Sequence, residues 1–210
     1  MPSHARIVGW DADGVLLDSN AVACKAAEDI VALFQPGARI ASRLEYRAVF
    51  GGDAHARLVG PKNAATLRAM HRLLMRARAP QVPLFEECLG VLRRLRSRPI
   101  LITAAFADGV RHVLGAHASL FVDIRGREVG PKEQLLAGAA STMSAYVTDT
   151  VRDVNRCREC GIPVIAVTWG YDTADALRSA SPDFLAGSTL ELEQALSDRS
   201  LLITGGHHAP

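Results

Sequence analysis

The sequence has few cysteines, few aromatic residues and no long apolar run. A membrane-spanning helix needs about 18 consecutive apolar residues, and no stretch of this chain approaches that length. The first residues, MPSHAR, lack the charged-then-apolar pattern of a secretory signal. From these absences we expect a cytoplasmic protein with no membrane partner.

The four cysteines, Cys24, Cys88, Cys157 and Cys160, are too few and too irregularly spaced for a disulfide framework. Cys157 and Cys160 form a C-x-x-C pair, which could be half of a zinc site or a redox pair. No second pair or suitably spaced histidines complete a metal site, and both cysteines fall in a helical pattern before Gly161. We therefore interpret them as helix-packing residues.

Aromatic residues make up only 5% of the chain and do not interleave with the basic residues, so we expect no nucleic-acid partner.

The charge is unevenly distributed along the chain. The formal net charge is +2, but residues 20–81 contain ten Lys and Arg against four Asp and Glu. This basic segment beside an acidic remainder suggests an anionic substrate. Alternatively, Arg68, Arg72 and Arg76 form a solvated stripe on one helix.

Short apolar runs alternate with helical patterns along most of the chain. The runs are continuous, as is typical of strands buried on both faces. The predicted strands are 5–10, 98–103, 145–148, 163–168 and a weaker 183–187, and the predicted helices include 85–96, 132–140, 151–160 and 190–196. This alternation predicts an α/β fold with a doubly wound parallel sheet.

One segment breaks the alternation. Residues 20–81 show little strand signal but several Ala-, Leu- and Arg-rich helical stretches separated by Gly and Pro, which indicates an inserted helical lobe. Asp18, before Ser19 and a helical pattern, is predicted to cap the first helix of this lobe. The expected organisation is a core at 1–19 and 82–202, a helical lobe at 20–81 and a disordered tail at 203–210.

Six polar side chains follow predicted strands or begin the next helix: Asp11, Asp13, Thr103, Lys132, Asp149 and Asp153. The carboxyl ends of neighbouring parallel strands converge, so we expect these groups to meet at one edge of the sheet. Crowded carboxylates are costly unless a cation or a proton is shared among them. Hard oxygen donors with open positions suit Mg²⁺, which is the predicted cofactor.

These residue types fit phosphoryl transfer through a covalent intermediate. Asp11 can attack phosphorus to form an aspartyl-phosphate. Asp13, lifted back over the site by a turn at Gly14, can protonate the leaving oxygen and then activate water. Mg²⁺ and Lys132 would neutralise charge on the phosphoryl oxygens, while the Thr103 hydroxyl and nearby backbone N–H groups would bind one of them.

Taken in order, these motifs resemble the haloacid dehalogenase-like hydrolase superfamily, and within it the phosphoglycolate phosphatase-like branch. The first family motif matches DADGVLLDS at 11–19, and the second matches Thr103 in LITAAF. The third matches Lys132 in GPKEQLL, and the fourth matches TDTVRD, with Asp149 and Asp153. Because GIPVIAVTWGY also resembles the segment that closes the branch's sheet, the match runs over nearly the whole chain.

The resemblance implies a Rossmann-like core, a helical cap of the C1 type, and Mg²⁺-dependent hydrolysis of a small phosphorylated metabolite. It makes Asp11 the nucleophile and Asp13 the general acid and base. The presence of Asp13 argues against dehalogenation. The implied metal-binding residues are Asp11, Asp13 through its carbonyl, and Asp149, with Asp153 as a further ligand or a supporting group. The implied phosphoryl-binding residues are Thr103, Ala104 and Lys132.

The sequence departs from the family pattern in a cap that is short for the branch and at two places near the site. Ala104 and Ala105 follow the motif-two Thr, where the family often has Asn or Gly, so a backbone N–H must replace a side-chain donor. Thr148 replaces the usual Gly before Asp149, and its β-branched side chain can crowd the metal loop. Neither change removes a group that the mechanism needs.

Substrate choice is expected to lie in the cap. The segment YRAVFGG resembles the branch's substrate loop, so Arg47 is the candidate substrate contact, although it can equally be a surface arginine. Lys62 is a weaker candidate.

Two other functions stay open, a sugar phosphomutase of the same superfamily and a catalytically silent relative that binds a phosphorylated ligand or a protein. A monomer and a homodimer are both compatible with the sequence.

Overall fold

The computed structural model describes residues 7–36, 60–95 and 99–198. The described residues divide into two compact units: one lies within 18–83, and the other is formed by the chain on either side of that segment. The boundaries differ by two residues at each junction from the lobe expected at 20–81. Arg47 and the tail expected at 203–210 lie outside the described residues.

In the unit within 18–83, the described residues form two helices, α1 (Asn20–Phe34) and α2 (Pro61–Ala77), followed by a short 3₁₀ turn (Ala79–Gln81). The helices pack through Ile30, Val31 and Leu67, all of which are buried. Burial of these apolar side chains, rather than helix propensity, is the main source of stability for such a pair.

The expected role of Asp18 as the cap of α1 is wrong. Ser19, not Asp18, occupies the capping position, and the Ser19 side chain makes no cap hydrogen bond there. Ser19 itself has helical backbone angles, φ −80° and ψ −11°, and its carbonyl accepts the N–H of Ala23. The chain therefore enters the helix without the extended conformation that a side-chain cap requires.

The other unit is built on a six-stranded sheet in which every neighbouring pair is parallel. Its strand order is β3-β2-β1-β4-β5-β6. The strands are β1 (Ile7–Trp10), β2 (Ile100–Ile102), β3 (Asp123–Arg125), β4 (Met143–Thr148), β5 (Val164–Val167) and β6 (Phe184–Ala186). The order reverses between β1 and β4, which confirms the predicted doubly wound fold and marks the place where such sheets bind ligands.

Among the described residues of this unit, six helices accompany the strands, with two short 3₁₀ segments at Gly115–Leu120 and Ala140–Thr142. The helices are α3 (Glu86–Arg94), α4 (Ala107–Leu114), α5 (Lys132–Ala139), α6 (Val151–Glu159), α7 (Ala174–Ser179) and α8 (Thr189–Ser197). None of the helices in the described parts of the chain combines the length and apolarity needed to cross a bilayer.

The core between the sheet and α5–α7 explains the C-x-x-C pair. Cys157 is fully buried in this core beside Tyr146 and Val154, and Cys160 is half-buried at the end of α6. Both thiols are free, and burial raises the pKa of Cys157 above its usual value. The interpretation of the pair as helix-packing residues is confirmed.

One strand, β3, was not predicted from the sequence. β3 reads Asp-Ile-Arg, so only Ile124 is buried, and three residues at the sheet edge give no apolar run. Another strand is longer than predicted. β4 begins two residues earlier, because Met143 and Ser144 are also buried beside β1. A polar serine inside the apolar run concealed that extension.

Candidate active site

The predicted groups follow three adjacent strands of the sheet. Asp11 comes directly after β1 and donates its N–H to the Val147 carbonyl of β4 (2.9 Å), while Thr103 comes after β2 and donates its N–H to the Arg125 carbonyl (3.0 Å). Asp149 comes after β4. Because β2, β1 and β4 are parallel neighbours, these three residues lie at the same edge of the sheet.

Lys132 joins this edge from the start of α5. Its Nζ lies 2.5 Å from Asp11 Oδ2 and also contacts Asp153 Oδ2 on α6. The three residues are 6%, 5% and 3% exposed, respectively. The ring of Tyr146 lies 5.4 Å from the same ammonium, a distance suited to a cation–π contact.

The charges in this cluster perturb one another. Burial raises the pKa of Asp11 to about 7, with Asp153 and Asp13 adding to the rise and Lys132 opposing it. Burial acts to lower the pKa of Lys132, but the two carboxylates outweigh it and the net pKa is raised. Burial likewise acts to raise the pKa of Asp153, yet contact with Lys132 brings it below the usual value. Lys132 is therefore a fixed cation between two carboxylates.

Asp149 is held between two glycines. Its Oδ2 accepts the N–H of Tyr171 (2.6 Å). A Cβ atom at Gly14 would lie 2.6 Å from Asp149 Cγ, and one at Gly170 would lie 2.5 Å from it, so neither position has room for a side chain. Gly14 also has φ +75°, a conformation that favours glycine.

The second oxygen of Asp149 has no protein partner. Oδ1 is buried without a hydrogen bond, and the residue is fully enclosed. Burial raises the pKa of Asp149 well above its usual value, and the charge of Asp11 adds to the effect. A buried carboxylate oxygen without a donor needs either a proton or a cation.

These residues fit a magnesium ion. Among residues 7–36, 60–95 and 99–198, no three His, Cys, Asp or Glu side chains converge as a ready-made coordination cluster. Mg²⁺ does not require one, because it usually binds one or two carboxylates and completes its shell with water and substrate oxygens. The unpartnered Asp149 Oδ1 close to the acidic turn is the atom that such an ion would satisfy.

Asp153 has a different environment from Asp149. Its Oδ2 contacts Lys132 and accepts a hydrogen bond from the Thr148 hydroxyl (3.4 Å), and its Oδ1 accepts one from Arg156 (3.1 Å). Both carboxylate oxygens are thus engaged by donors of this chain. Of the two roles that the sequence leaves open for Asp153, this environment favours the supporting one.

Thr103 is fully buried, and its hydroxyl accepts the N–H of Ala105 (3.0 Å). The Ala105 carbonyl in turn accepts the N–H of Arg127, and Glu128 accepts the N–H of Ala107 (3.2 Å). The segment after β3 therefore holds the loop after Thr103. Ala104 is exposed at this loop and contributes no polar side-chain atom.

Asp13 is half-buried in the turn after β1. Gly14 donates its N–H to the Leu17 carbonyl (2.8 Å), and Asp13 and Leu17 form a bridge of the parallel type. The charge of Asp13 contributes to the raised pKa of Asp11, so the two carboxyl groups interact. The predicted position of the Asp13 side chain over the site stays a prediction.

Two supporting contacts were missed by sequence analysis. Thr150 caps α6 by accepting the N–H of Asp153 (3.3 Å), and Asp172 accepts the N–H of Val151 (2.7 Å). The first could have been found, because Thr-x-x-Asp before a helical pattern is a capping signature. The second could not, because Asp172 comes from the loop after another strand, 21 residues away.

No family model matches the chain. A curated phosphoglycolate phosphatase of Synechococcus elongatus is 27% identical over 130 residues, which cover 56% of this chain and 61% of that protein. A phosphoglycolate phosphatase of Vibrio vulnificus is 25% identical over 217 residues, covering 89% of this chain and 94% of that protein. A solved haloacid dehalogenase-like hydrolase of Streptococcus pneumoniae has a TM-score of 0.80 at 20% identity, covering 92% and 99% of the two chains.

The described part of this chain has the same fold as that solved haloacid dehalogenase-like hydrolase. The chain is therefore similar in sequence to phosphoglycolate phosphatases and in fold to a haloacid dehalogenase-like hydrolase.

Proposed function

We propose that the protein is a Mg²⁺-dependent phosphatase that hydrolyses a phosphomonoester of a small metabolite through an aspartyl-phosphate on Asp11. The observation that carries this proposal is the contact between Asp11 Oδ2 and Lys132 Nζ (2.5 Å). It holds a buried carboxylate beside a fixed cation, which is the pairing that a carboxylate nucleophile needs when it attacks an anionic phosphate.

In the first half of the reaction, an Asp11 carboxylate oxygen forms a bond to phosphorus as the bond between phosphorus and the ester oxygen breaks. Asp13 in its protonated form donates a proton to that leaving oxygen. Lys132 and the backbone N–H groups after Thr103 bind the phosphoryl oxygens, whose charge rises in the transition state.

In the second half, Asp13 as carboxylate removes a proton from a water molecule that attacks the aspartyl-phosphate. The bond between Asp11 and phosphorus breaks, inorganic phosphate is released, and Asp13 is again protonated for the next cycle. One acid and one nucleophile therefore account for every proton and bond in the reaction.

Asp11, the Asp13 carbonyl and Asp149 would hold the metal ion. When bound, Mg²⁺ supplies positive charge that offsets the repulsion between the Asp11 carboxylate and the phosphate. The unpartnered Asp149 Oδ1 supports this assignment, whereas the donors around both oxygens of Asp153 support a role for that residue in fixing Lys132.

The names of the relatives make phosphoglycolate the first compound to try as substrate. We further propose that Arg47, which lies outside the described residues, contacts the part of the substrate that does not react. Selectivity would then depend on the helical segment within 18–83, and the chemistry on the sheet edge.

Phosphate release from a panel of phosphorylated metabolites tests the proposal, with Mg²⁺ present and then chelated. Asp11→Asn, which keeps the size of the side chain, is the blank. We expect release that needs Mg²⁺ and vanishes in the variant. Release that persists in Asp11→Asn overturns the assignment of the nucleophile. No release from any compound by folded, Mg²⁺-bound protein favours a phosphomutase or the silent relative.

A further inference from the structure

The Arg156 guanidinium joins two helices of the sheet unit. Arg156 lies on α6 one turn after Asp153, and its Nη1 is 3.1 Å from Asp153 Oδ1. Its Nη2 is 3.0 Å from Oε2 of Glu133, the second residue of α5. Arg156 therefore links Asp153 to the helix turn that carries Lys132.

This link restricts the rotation of the Asp153 carboxylate. An aspartate side chain rotates easily about its last bond, because that torsion has broad minima. Here Arg156 holds Oδ1, so Oδ2 is left facing Lys132 Nζ. A planar guanidinium suits this task because its donors have fixed directions and two of them can bind separate carboxylates.

The two ion pairs form an inner and an outer layer. In the inner pair, the side chains of Lys132 and Asp153 are each 4% exposed. In the outer pair, Arg156 is 22% exposed and Glu133 is 54% exposed. Solvent therefore screens the contact of Arg156 with Glu133 more than its contact with Asp153, and the latter is the stronger constraint.

We propose that Arg156 is a positioning residue for the Lys132 ammonium: it fixes the Asp153 carboxylate, which in turn holds Lys132 against Asp11. Arg156 lies outside the four segments that carry the family resemblance, and it touches none of the reacting atoms. Its expected effect on turnover rests on the proposed function, whereas its effect on Lys132 does not.

Three variants test the proposal. Arg156→Ala removes both contacts, and Arg156→Lys keeps a positive charge but cannot span two carboxylates. Arg158→Ala is the matched control, because Arg158 is exposed on the same helix and contacts the Ala180 and Ser181 carbonyls instead. All three are compared with the wild type for thermal unfolding and for kcat and KM on the preferred phosphomonoester.

We expect Arg156→Ala to lower kcat about tenfold with KM changed less than about twofold, since misplacing Lys132 weakens a contact that matters most in the transition state. Arg156→Lys should recover part of the loss. Arg158→Ala should retain wild-type kcat even if it lowers the unfolding temperature. An unchanged kcat in folded Arg156→Ala, or an equal loss in Arg158→Ala, overturns the proposal.

A second readout needs no activity. The sequence has three lysines, Lys25, Lys62 and Lys132, so ¹⁵N-labelled lysine gives at most three ammonium signals in an NMR spectrum. A buried, ion-paired ammonium exchanges its protons slowly and is visible, whereas exposed ammonium groups are broadened. We expect a Lys132 signal in the wild type and Arg158→Ala, and its loss or displacement in both Arg156 variants.

The two readouts separate the possible failures. If the wild type releases phosphate from no compound, the proposed function fails, and the spectrum still decides the role of Arg156. If the Lys132 signal is the same in the wild type and in the Arg156 variants, the positioning role is wrong whatever the activity. If Arg156→Ala does not fold, Arg156→Lys carries the same comparison.

Discussion

Lys132 and Asp11 are 121 residues apart in the chain, yet Lys132 Nζ lies 2.5 Å from Asp11 Oδ2. This contact joins the first strand to a helix that begins after the third strand. It also sets the balance of charge at the sheet edge, because the same ammonium contacts Asp153. Removing Lys132 would leave two buried carboxylates without their shared cation, which is destabilising.

Lys132→Met should lower phosphatase kcat about 100-fold or more, the scale of loss when one donor to a developing charge is removed. Methionine preserves much of the side-chain volume, so the fold is retained at reduced stability. Steady-state kinetics and thermal unfolding measure the two effects. Lys25→Met, at an exposed lysine paired with Asp29 on α1, is the control and should keep full activity. Lys132→Met with wild-type kcat would contradict the assigned role.

Asp149→Asn should raise the unfolding temperature of the metal-free protein at about pH 7.5. The pKa of Asp149 is raised in the folded state, chiefly by burial and then by Asp11, so the charged form costs stability once the pH exceeds the unfolded-state pKa. Each 1 kcal/mol corresponds to about 2–4 °C in a chain of this size. Unfolding scans in chelator measure the rise, and the difference should vanish below about pH 3, where Asp149 is neutral in both the folded and the unfolded state.

The same variant should lose stabilisation by Mg²⁺, because an amide is a weaker ligand than a carboxylate at the position of the unpartnered Oδ1. Asp175→Asn, at an exposed carboxylate on α7, is the matched control and should keep the Mg²⁺ effect. Undiminished Mg²⁺ stabilisation in Asp149→Asn would remove Asp149 from the proposed ligands.

Thr148→Val should lower kcat about threefold to tenfold with little change in KM, since it deletes one hydrogen bond to a carboxylate while keeping the branched shape. The Thr148 hydroxyl lies 3.4 Å from Asp153 Oδ2 and is fully buried. Thr148→Ser should recover the loss. Thr142→Val, in the 3₁₀ segment that precedes β4, is the control. Equal kcat in the valine and serine variants at position 148 would show that the hydroxyl has no part in positioning Asp153.

Gly170→Ala should weaken Mg²⁺-dependent activity by about tenfold or more, because its Cβ would lie 2.5 Å from Asp149 Cγ and must displace that carboxylate. Gly109→Ala on α4 is the matched control, since no atom lies within 4 Å of the added Cβ. Activity measured across a Mg²⁺ titration separates the two variants. A Gly170→Ala protein with wild-type Mg²⁺ dependence would mean that the close approach of Gly170 to Asp149 is not needed for metal binding.

The sequence pattern was sufficient to locate β1, β4 and β5, because central parallel strands are buried on both faces and produce continuous apolar runs. It failed for β3 at the sheet edge, where only Ile124 is buried. It also misplaced the cap of α1, because Ser19 occupies the capping position and already has helical backbone angles. Short edge strands and the first residues of helices contain too few buried apolar residues to be located from the sequence pattern.

The sequence by itself determined which polar groups reach the sheet edge. Asp11, Thr103 and Asp149 each follow an apolar strand, and adjacent parallel strands must end at one side. Only the tertiary structure decided which oxygen meets which donor. Asp149 keeps an unpartnered oxygen, whereas Asp153 has both oxygens engaged. That difference depends on how α5 packs against α6 and on the rotation of single carboxylates, and neither is encoded in the spacing of residues along the chain.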